Sequence, residues 1–178
     1  MRSLAAFFAA AGADVFAVCE IEAGDALALA TRFAAEWAYR GRQAIFWNAR
    51  FLAREIADVY LPVSVARPLD RRGFLRVDGS LDAALCALYT MQLAADRHEI
   101  AQRRFVRTRL RSHPGSAIVF ARAPRGGMNL ADLGFIDAAP GGAAQERILA
   151  RGFRVEGIVG GGPLAGLGTP IRARLTII

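Results

Sequence analysis

The sequence predicts a sheet-based α/β or α+β domain, and three observations carry that expectation. Apolar runs of strand length recur along the chain, at Asp14–Glu20, Gln43–Trp47, Ala83–Met91 and Ala117–Phe120. Between them stand stretches whose apolar residues recur at helical spacing. Finally, 178 residues with 54% hydrophobic content and a mean hydropathy of +0.27 supply enough apolar surface for a real core. No repeat or polar linker divides the chain, so residues 1–178 read as a single domain.

In chain order, Leu4–Ala11 reads as a helix packed on a sheet, stopped by Gly12. Its apolar run is too short for a membrane span, and with no export signal the expected location is the cytoplasm. The strand Asp14–Glu20 follows. Leu29, Phe33 and Trp37 then recur every fourth residue, predicting a helix from Asp25 to Trp37, with Asp25 suited to the positive end of its dipole. Gln43–Trp47 and Ile56–Leu61 read as strands. Asp70–Gly73 reads as a turn, Phe74–Val77 as a strand, Asp78-Gly79 as a second tight turn and Ala83–Met91 as a long strand. A long helix covers about Ala95–Arg111 and Pro114-Gly115 breaks it. Ala117–Phe120 is a buried strand. A short helix near Leu130, a helix at Ala143–Ala150 and strands at Phe153–Val159 and Ile171–Ile178 complete the order.

Charge and cysteine content narrow the chemistry. The formal net charge is +7, yet none of the 23 basic residues is Lys, a pattern that fits GC-rich codon usage better than selection for phosphate contacts. Arg97, Arg103, Arg104, Arg107 and Arg111 fall within an arc of about 120° on the long helix at about 100° per residue. That face is either solvated or a surface for phosphates. Cys19 and Cys86 lie in apolar runs and read as buried free thiols of a reducing compartment. Two isolated Cys and two isolated His make no zinc pattern. Gly160-Gly161-Gly162-Pro163 and Gly166-Leu167-Gly168 precede no helix bearing Lys and Ser or Thr, so they read as surface loops.

The residue that invites a chemical reading is Glu20. A carboxylate at the carboxyl end of a buried strand is where a mixed fold can hold a divalent cation, provided other ligands join it.

The segment Ala13-Asp14-Val15-Phe16-Ala17-Val18-Cys19-Glu20-Ile21 resembles the Asp-Val-(apolar)-Leu-Gln-Glu-Val segment of the endonuclease/exonuclease/phosphatase superfamily, whose Glu binds the metal. The stretch from Leu88-Tyr89-Thr90 to Gln102-Arg103-Arg104-Phe105 is similar to that family's Thr-His-Leu strand and the helix behind it. The resemblance spans roughly residues 13–178. It implies a four-layer α/β/β/α sandwich with mixed, largely antiparallel sheets, lacking the family's first strand and its Asn. It also implies metal-dependent phosphoester hydrolysis as the ancestral activity, with Mg as the cofactor and Glu20 and, more weakly, Glu156 as metal ligands.

The departures fall on the motif residues. Gln92, in Met91-Gln92-Leu93, stands where the family has its His; an amide can donate a hydrogen bond to a phosphoryl oxygen but carries no positive charge. Ala121-Arg122-Ala123-Pro124 stands in place of Gly-Asp-Phe-Asn, and Gly166-Leu167-Gly168 in place of the terminal Ser-Asp-His. Without a general base, water activation loses contributions worth roughly 10²–10⁴-fold each. The expectation is therefore a domain of this fold whose catalysis is impaired or lost. Two alternatives stay open. One is a surviving Mg-dependent phosphodiesterase or phosphatase using Glu20, Gln92, Glu156 and an Arg. The other is a nucleic-acid or protein interaction module whose Arg face, with Arg104 and Arg107 foremost, meets phosphates. A missing strand would also leave a sheet edge open, so self-association is expected.

Overall fold

A computed structural model of the chain describes residues 12–62, 72–95, 98–124, 126–138, 145–160 and 171–178. Two α-helices and eleven strands fall within these residues. Strands β1 (Val15–Cys19), β2 (Glu36–Arg40) and β3 (Gln43–Trp47) form an antiparallel sheet in the order β1-β3-β2. A larger, six-stranded sheet has the order β4-β5-β6-β7-β9-β8, from β4 (Phe51–Tyr60), β5 (Gly73–Leu81), β6 (Ala84–Gln92), β7 (Ala117–Arg122), β8 (Ile136–Asp137) and β9 (Glu146–Arg151). Strands β10 (Phe153–Gly160) and β11 (Ile171–Ile177) pair with each other. Helix α1 is Ala23–Phe33 and α2 is Glu99–Arg111.

Three apolar clusters show how these pieces stack. Ala26, Leu29 and Ala30 of α1 pack against Phe16 and Phe46, on the outer face of the small sheet. On its inner face Ile45 and Trp47 meet Leu75, Val77, Leu88 and Ile118 of the six-stranded sheet. The far face of that sheet offers Phe74, Tyr89, Met91 and Val119 to Val106 and Leu110 of α2. The order is helix, sheet, sheet, helix, the sandwich the resemblance implies. Both faces of β6 are covered, which is why Cys86–Gln92 is buried at every position, with Thr90 and Gln92 its polar members, rather than alternating. The β6–α2–β7 crossover makes β6 and β7 a parallel pair inside an otherwise antiparallel sheet.

Several local expectations are corrected. Helix α1 stops at Phe33, because Ala34 turns into the left-handed region (φ 48) and Ala35 donates back to the Ala30 carbonyl. Trp37 therefore lies on β2. Its ring stacks over Phe46, centroids 6.4 Å apart, and Phe46 stacks on Phe16 at 4.6 Å, one aromatic row in register across the sheet. The four-residue spacing of Phe33 and Trp37 is shared by two elements. Asp78-Gly79 is not a turn but lies within β5, where a Cβ on Gly79 would sit 2.4 Å from the Leu52 carbonyl oxygen and 2.6 Å from the Phe51 ring. The hairpin turn comes at Asp82-Ala83, both with positive φ. The helix expected at Ala143–Ala150 is instead strand β9 from Glu146. Its neighbours β7 and β8 and burial of Ile148, Leu149 and Ala150 outweigh the helical preference of Ala and Leu. The first-helix expectation and both glycine-rich loops lie outside the described residues.

Candidate functional site

Glu20 ends β1 in the left-handed region (φ 60), a conformation that costs an L-residue on the order of 1–2 kcal/mol. The turn aims its carboxylate at the carboxyl ends of the parallel pair. There the register sets Gln92, Arg122 and Glu146 side by side on β6, β7 and β9. The row faces the small-sheet side, since neighbouring Met91 and Ala121 pack toward α2.

One carboxylate oxygen carries the site's contacts. Gln92 Nε2 donates to Glu20 Oε1 at 2.6 Å, and Arg122 Nη1 lies 3.2 Å from the same oxygen. On its other flank Arg122 Nε is 3.8 Å from Glu146 Oε1. The Gln92 hydrogen bond, then the Arg122 and Arg72 charges, hold the Glu20 carboxyl below its ordinary value against partial desolvation. Arg72 is anchored by donating from Nη1 to the Leu93 carbonyl at 2.9 Å. Beneath the row, buried Gln43 bridges the two sheets, donating to the Gly73 carbonyl at 2.7 Å and accepting from Thr90 at 3.3 Å. Desolvation pushes the Cys19 thiol up to about 11, which leaves it protonated and a poor nucleophile at neutral pH.

Among the described residues, no group of three or more His, Cys, Asp or Glu is arranged to hold a metal ion. The side chains around Glu20 do not fit a divalent cation. A hard cation asks for several oxygen ligands, whereas Glu20 meets an amide N–H and a guanidinium. Arg122 supplies positive charge at the point where the carboxylate would face a metal.

The sequence-derived residues divide into those brought together and those kept apart. Glu20 and Gln92 meet. Glu156 is exposed on β10 and accepts a hydrogen bond from Thr176 of β11. Arg104 is exposed on α2, whereas Arg107 donates to the Asn129 carbonyl at 3.0 Å and pairs with Asp132, tying α2 to the following loop. Arg103 pairs with Glu99 within the helix and reaches the loop after β7 through the Gly126 and Gly127 carbonyls. Gln102 is fully buried and fastens Ala94 N–H, at 2.7 Å, and the Pro62 carbonyl, at 2.9 Å. Sequence reasoning assigned no role to Arg122 and missed Glu146 altogether. For Arg122 the signal was its occupation of a carboxylate position; for Glu146 the helical misreading of β9 hid it.

No helix among the described residues is long and apolar enough to cross a membrane. Comparison with known proteins finds no matching family model and no matching curated protein. Solved structures do match. A functionally unknown conserved protein from Enterococcus faecalis V583 superposes with TM-score 0.79 at 12% identity, covering 99% of this chain and 90% of that one. D. rerio TDP2 complexed with a single-strand DNA product gives 0.72 at 15% identity, covering 94% and 86%. An endonuclease/exonuclease/phosphatase family protein from Bacteroides thetaiotaomicron gives 0.70 at 11% identity, covering 97% and 86%. A mannosyl-6-phosphatase from the same organism gives 0.71 at 10%, covering 98% and 89%. The chain has the fold of the endonuclease/exonuclease/phosphatase superfamily.

Proposed function

We propose that this chain is a single, catalytically silent domain of the endonuclease/exonuclease/phosphatase type, acting in a reducing cytoplasm. The observation that carries the reading is the pair of donors, Gln92 and Arg122, on one oxygen of Glu20. A guanidinium is always charged and delocalised, so it satisfies the carboxylate without the Lewis acidity of a cation. In the row Gln92 does not titrate, the Cys19 thiol is held protonated, and the two carboxylates, Glu20 and Glu146, both face the Arg122 guanidinium. Free Cys19 and Cys86 suit the compartment.

The test is hydrolysis of bis(p-nitrophenyl) phosphate and of single-stranded DNA with Mg²⁺ or Mn²⁺. The expected result is a rate equal to buffer for both wild type and Glu20→Ala. Turnover that is abolished by Glu20→Ala would overturn the reading in favour of a Mg-dependent phosphodiesterase built on Glu20, Gln92 and Glu156.

One structural feature supports a binding role for the same domain. The layer over the six-stranded sheet is made of two separate sheets, and β1 is paired only to β3 among the described residues. Beneath that layer Phe120, in the middle of a central strand, is only partly buried. An open strand edge above an incompletely covered core favours self-association. Light scattering across micromolar concentrations is expected to show a dimer or larger species; a monodisperse monomer excludes it. Phosphate contact by exposed Arg104 would add salt-sensitive DNA binding, lost on Arg104→Glu.

A further inference from the structure

On the opposite face of the six-stranded sheet from Glu20, a cavity of about 50 Å³ lies between β4, β5, β6 and the end of α2. Its walls are Ala57, Val59 and Phe74, and its polar groups are Arg76, Tyr89, Arg109 and His113. We propose that this cavity is a binding site for a small organic monocarboxylate, whose carboxylate meets Tyr89, Arg76 and Arg109 and whose short apolar end lies on Val59 and Phe74.

The hydrogen-bond inventory selects an acceptor. Tyr89 is 1% exposed and its hydroxyl has no partner among the described residues, although a buried hydroxyl ordinarily finds one. Desolvation pushes this phenol up to about 12, so it stays an O–H donor at every ordinary pH. Arg76 is committed at both terminal nitrogens, to His113 Nε2 on one and to Asp78, at 2.6 Å, on the other, with Glu55 at 3.8 Å. Its buried Nε has no partner among the described residues. His113 receives that contact through Nε2 while Nδ1 faces the Arg109 carbonyl at 2.9 Å, an arrangement of the neutral Nδ1–H tautomer that leaves no acceptor for Tyr89. Arg109 is exposed and stacks over Phe105, its guanidinium carbon 5.2 Å from the ring centre. The unused groups are therefore all donors.

Charge and size narrow the ligand further. Asp78 and Glu55 already answer Arg76, which leaves Arg109 to meet a single negative charge. The volume holds roughly three or four water-sized groups, and three of the seven wall residues are apolar. A dianionic phosphate would set charge against Val59 and Phe74 without donors there. A two- to four-carbon acid satisfies both halves of the cavity.

Titration with sodium propionate at constant ionic strength, followed by the NMR shifts of the Tyr89 and His113 rings, tests this assignment. The expected result is saturable binding that weakens about tenfold or more in Tyr89→Phe and again in Arg109→Ala. Tyr89→Phe keeps the ring packing and removes only the unpartnered hydroxyl, so it is expected to fold with unchanged or higher Tm in the absence of propionate. Non-saturable shifts, unchanged affinity in Tyr89→Phe, or inorganic phosphate binding in preference to propionate would each overturn the assignment. The site lies across the sheet from Glu20, so Glu20→Ala is expected to bind propionate like wild type.

Discussion

The two faces of the six-stranded sheet are covered by different means. On one face α2 lays Val106 and Leu110 directly over Tyr89, Met91 and Val119, and Gln102 pins the helix to two backbone groups. On the other, two separate sheets share the cover, Phe120 is half-buried, and charged side chains meet at the strand ends. The polar groups differ in the same sense. Around Glu20 two donors meet the carboxylate, and buried Arg122 Nε, without a hydrogen bond among the described residues, still faces the Glu146 carboxylate at 3.8 Å, whereas around Tyr89 the unpartnered donors line a cavity. The difference teaches that a carboxylate at a strand end can be held by an amide and a guanidinium, while unfilled hydrogen-bonding capacity lines a cavity on the opposite face.

Core truncation on each face breaks the comparison most sharply. Leu110→Ala, at a fully buried position, is expected to cost about 2–5 kcal/mol, because α2 cannot collapse into the space. Phe120→Ala is expected to cost only about 1–2 kcal/mol, since part of its ring is already in water. Urea denaturation midpoints measure both. Equal losses would mean that the second layer closes over Phe120 as completely as α2 closes over Leu110.

The tether on the α2 face comes next. Gln102→Ala strands the Ala94 N–H and the Pro62 carbonyl, an expected loss of about 1–3 kcal/mol. Hydrogen exchange reports it directly: the Ala94 amide should exchange far faster while amides of β1 and β3 keep their protection.

The legibility of these features in the sequence follows the same division. A sheet-based domain is readable from the apolar runs Asp14–Glu20, Ala83–Met91 and Ala117–Phe120, whereas the layered sandwich follows only from the family resemblance of the segment around Glu20. Glu20 was readable from its place at a strand end. The Glu20–Arg122 pair was not, since it depends on how the sheet holding β1 stacks on the sheet holding β7, and no local signal fixes which strand ends meet. Gly79 shows a further limit. Asp-Gly ordinarily marks a turn, but here the glycine is required by close approach of Phe51 from a strand not adjacent in sequence. The cavity at Tyr89 is not legible for a related reason, because Arg76, Tyr89 and His113 come from three separate stretches of chain that only the fold brings together.

Acid sharpens the account of the charged row. The Glu20 carboxyl is held low in the folded protein, first by Gln92, so the stability it contributes is present above the unfolded value near 4.5. It disappears as pH falls through the lower folded value. Glu20→Gln is therefore expected to lower Tm at neutral pH and to converge with wild type in strong acid. Arg122→Ala removes the ion pair and exposes the carboxylate, so Mn²⁺ affinity measured by proton relaxation should rise. A wild type that already binds Mn²⁺ as tightly as Arg122→Ala would show that the guanidinium does not stand in for a cation.

The smallest expected effect compares two left-handed residues. Glu20 (φ 60) and Ala83 (φ 69) each carry the strain of that region, but only Glu20 has side-chain contacts that offset it. Ala83 occupies the second position of the two-residue β5–β6 turn, after Asp82 (φ 48), where both central residues need positive φ. Glycine adopts that conformation freely, and its greater freedom in the unfolded chain takes back part of the gain. Ala83→Gly should therefore stabilise the fold by about 0.5–1 kcal/mol, read as a higher urea midpoint with an unchanged slope. Asp82 is a less suitable target, because its carboxylate pairs with Arg50, which also holds Asp14 at the start of β1. If Ala83→Gly destabilised the protein, the strain at this turn would be offset by a contact equivalent to those of Glu20, and the contrast between an occupied and an idle left-handed residue would fail.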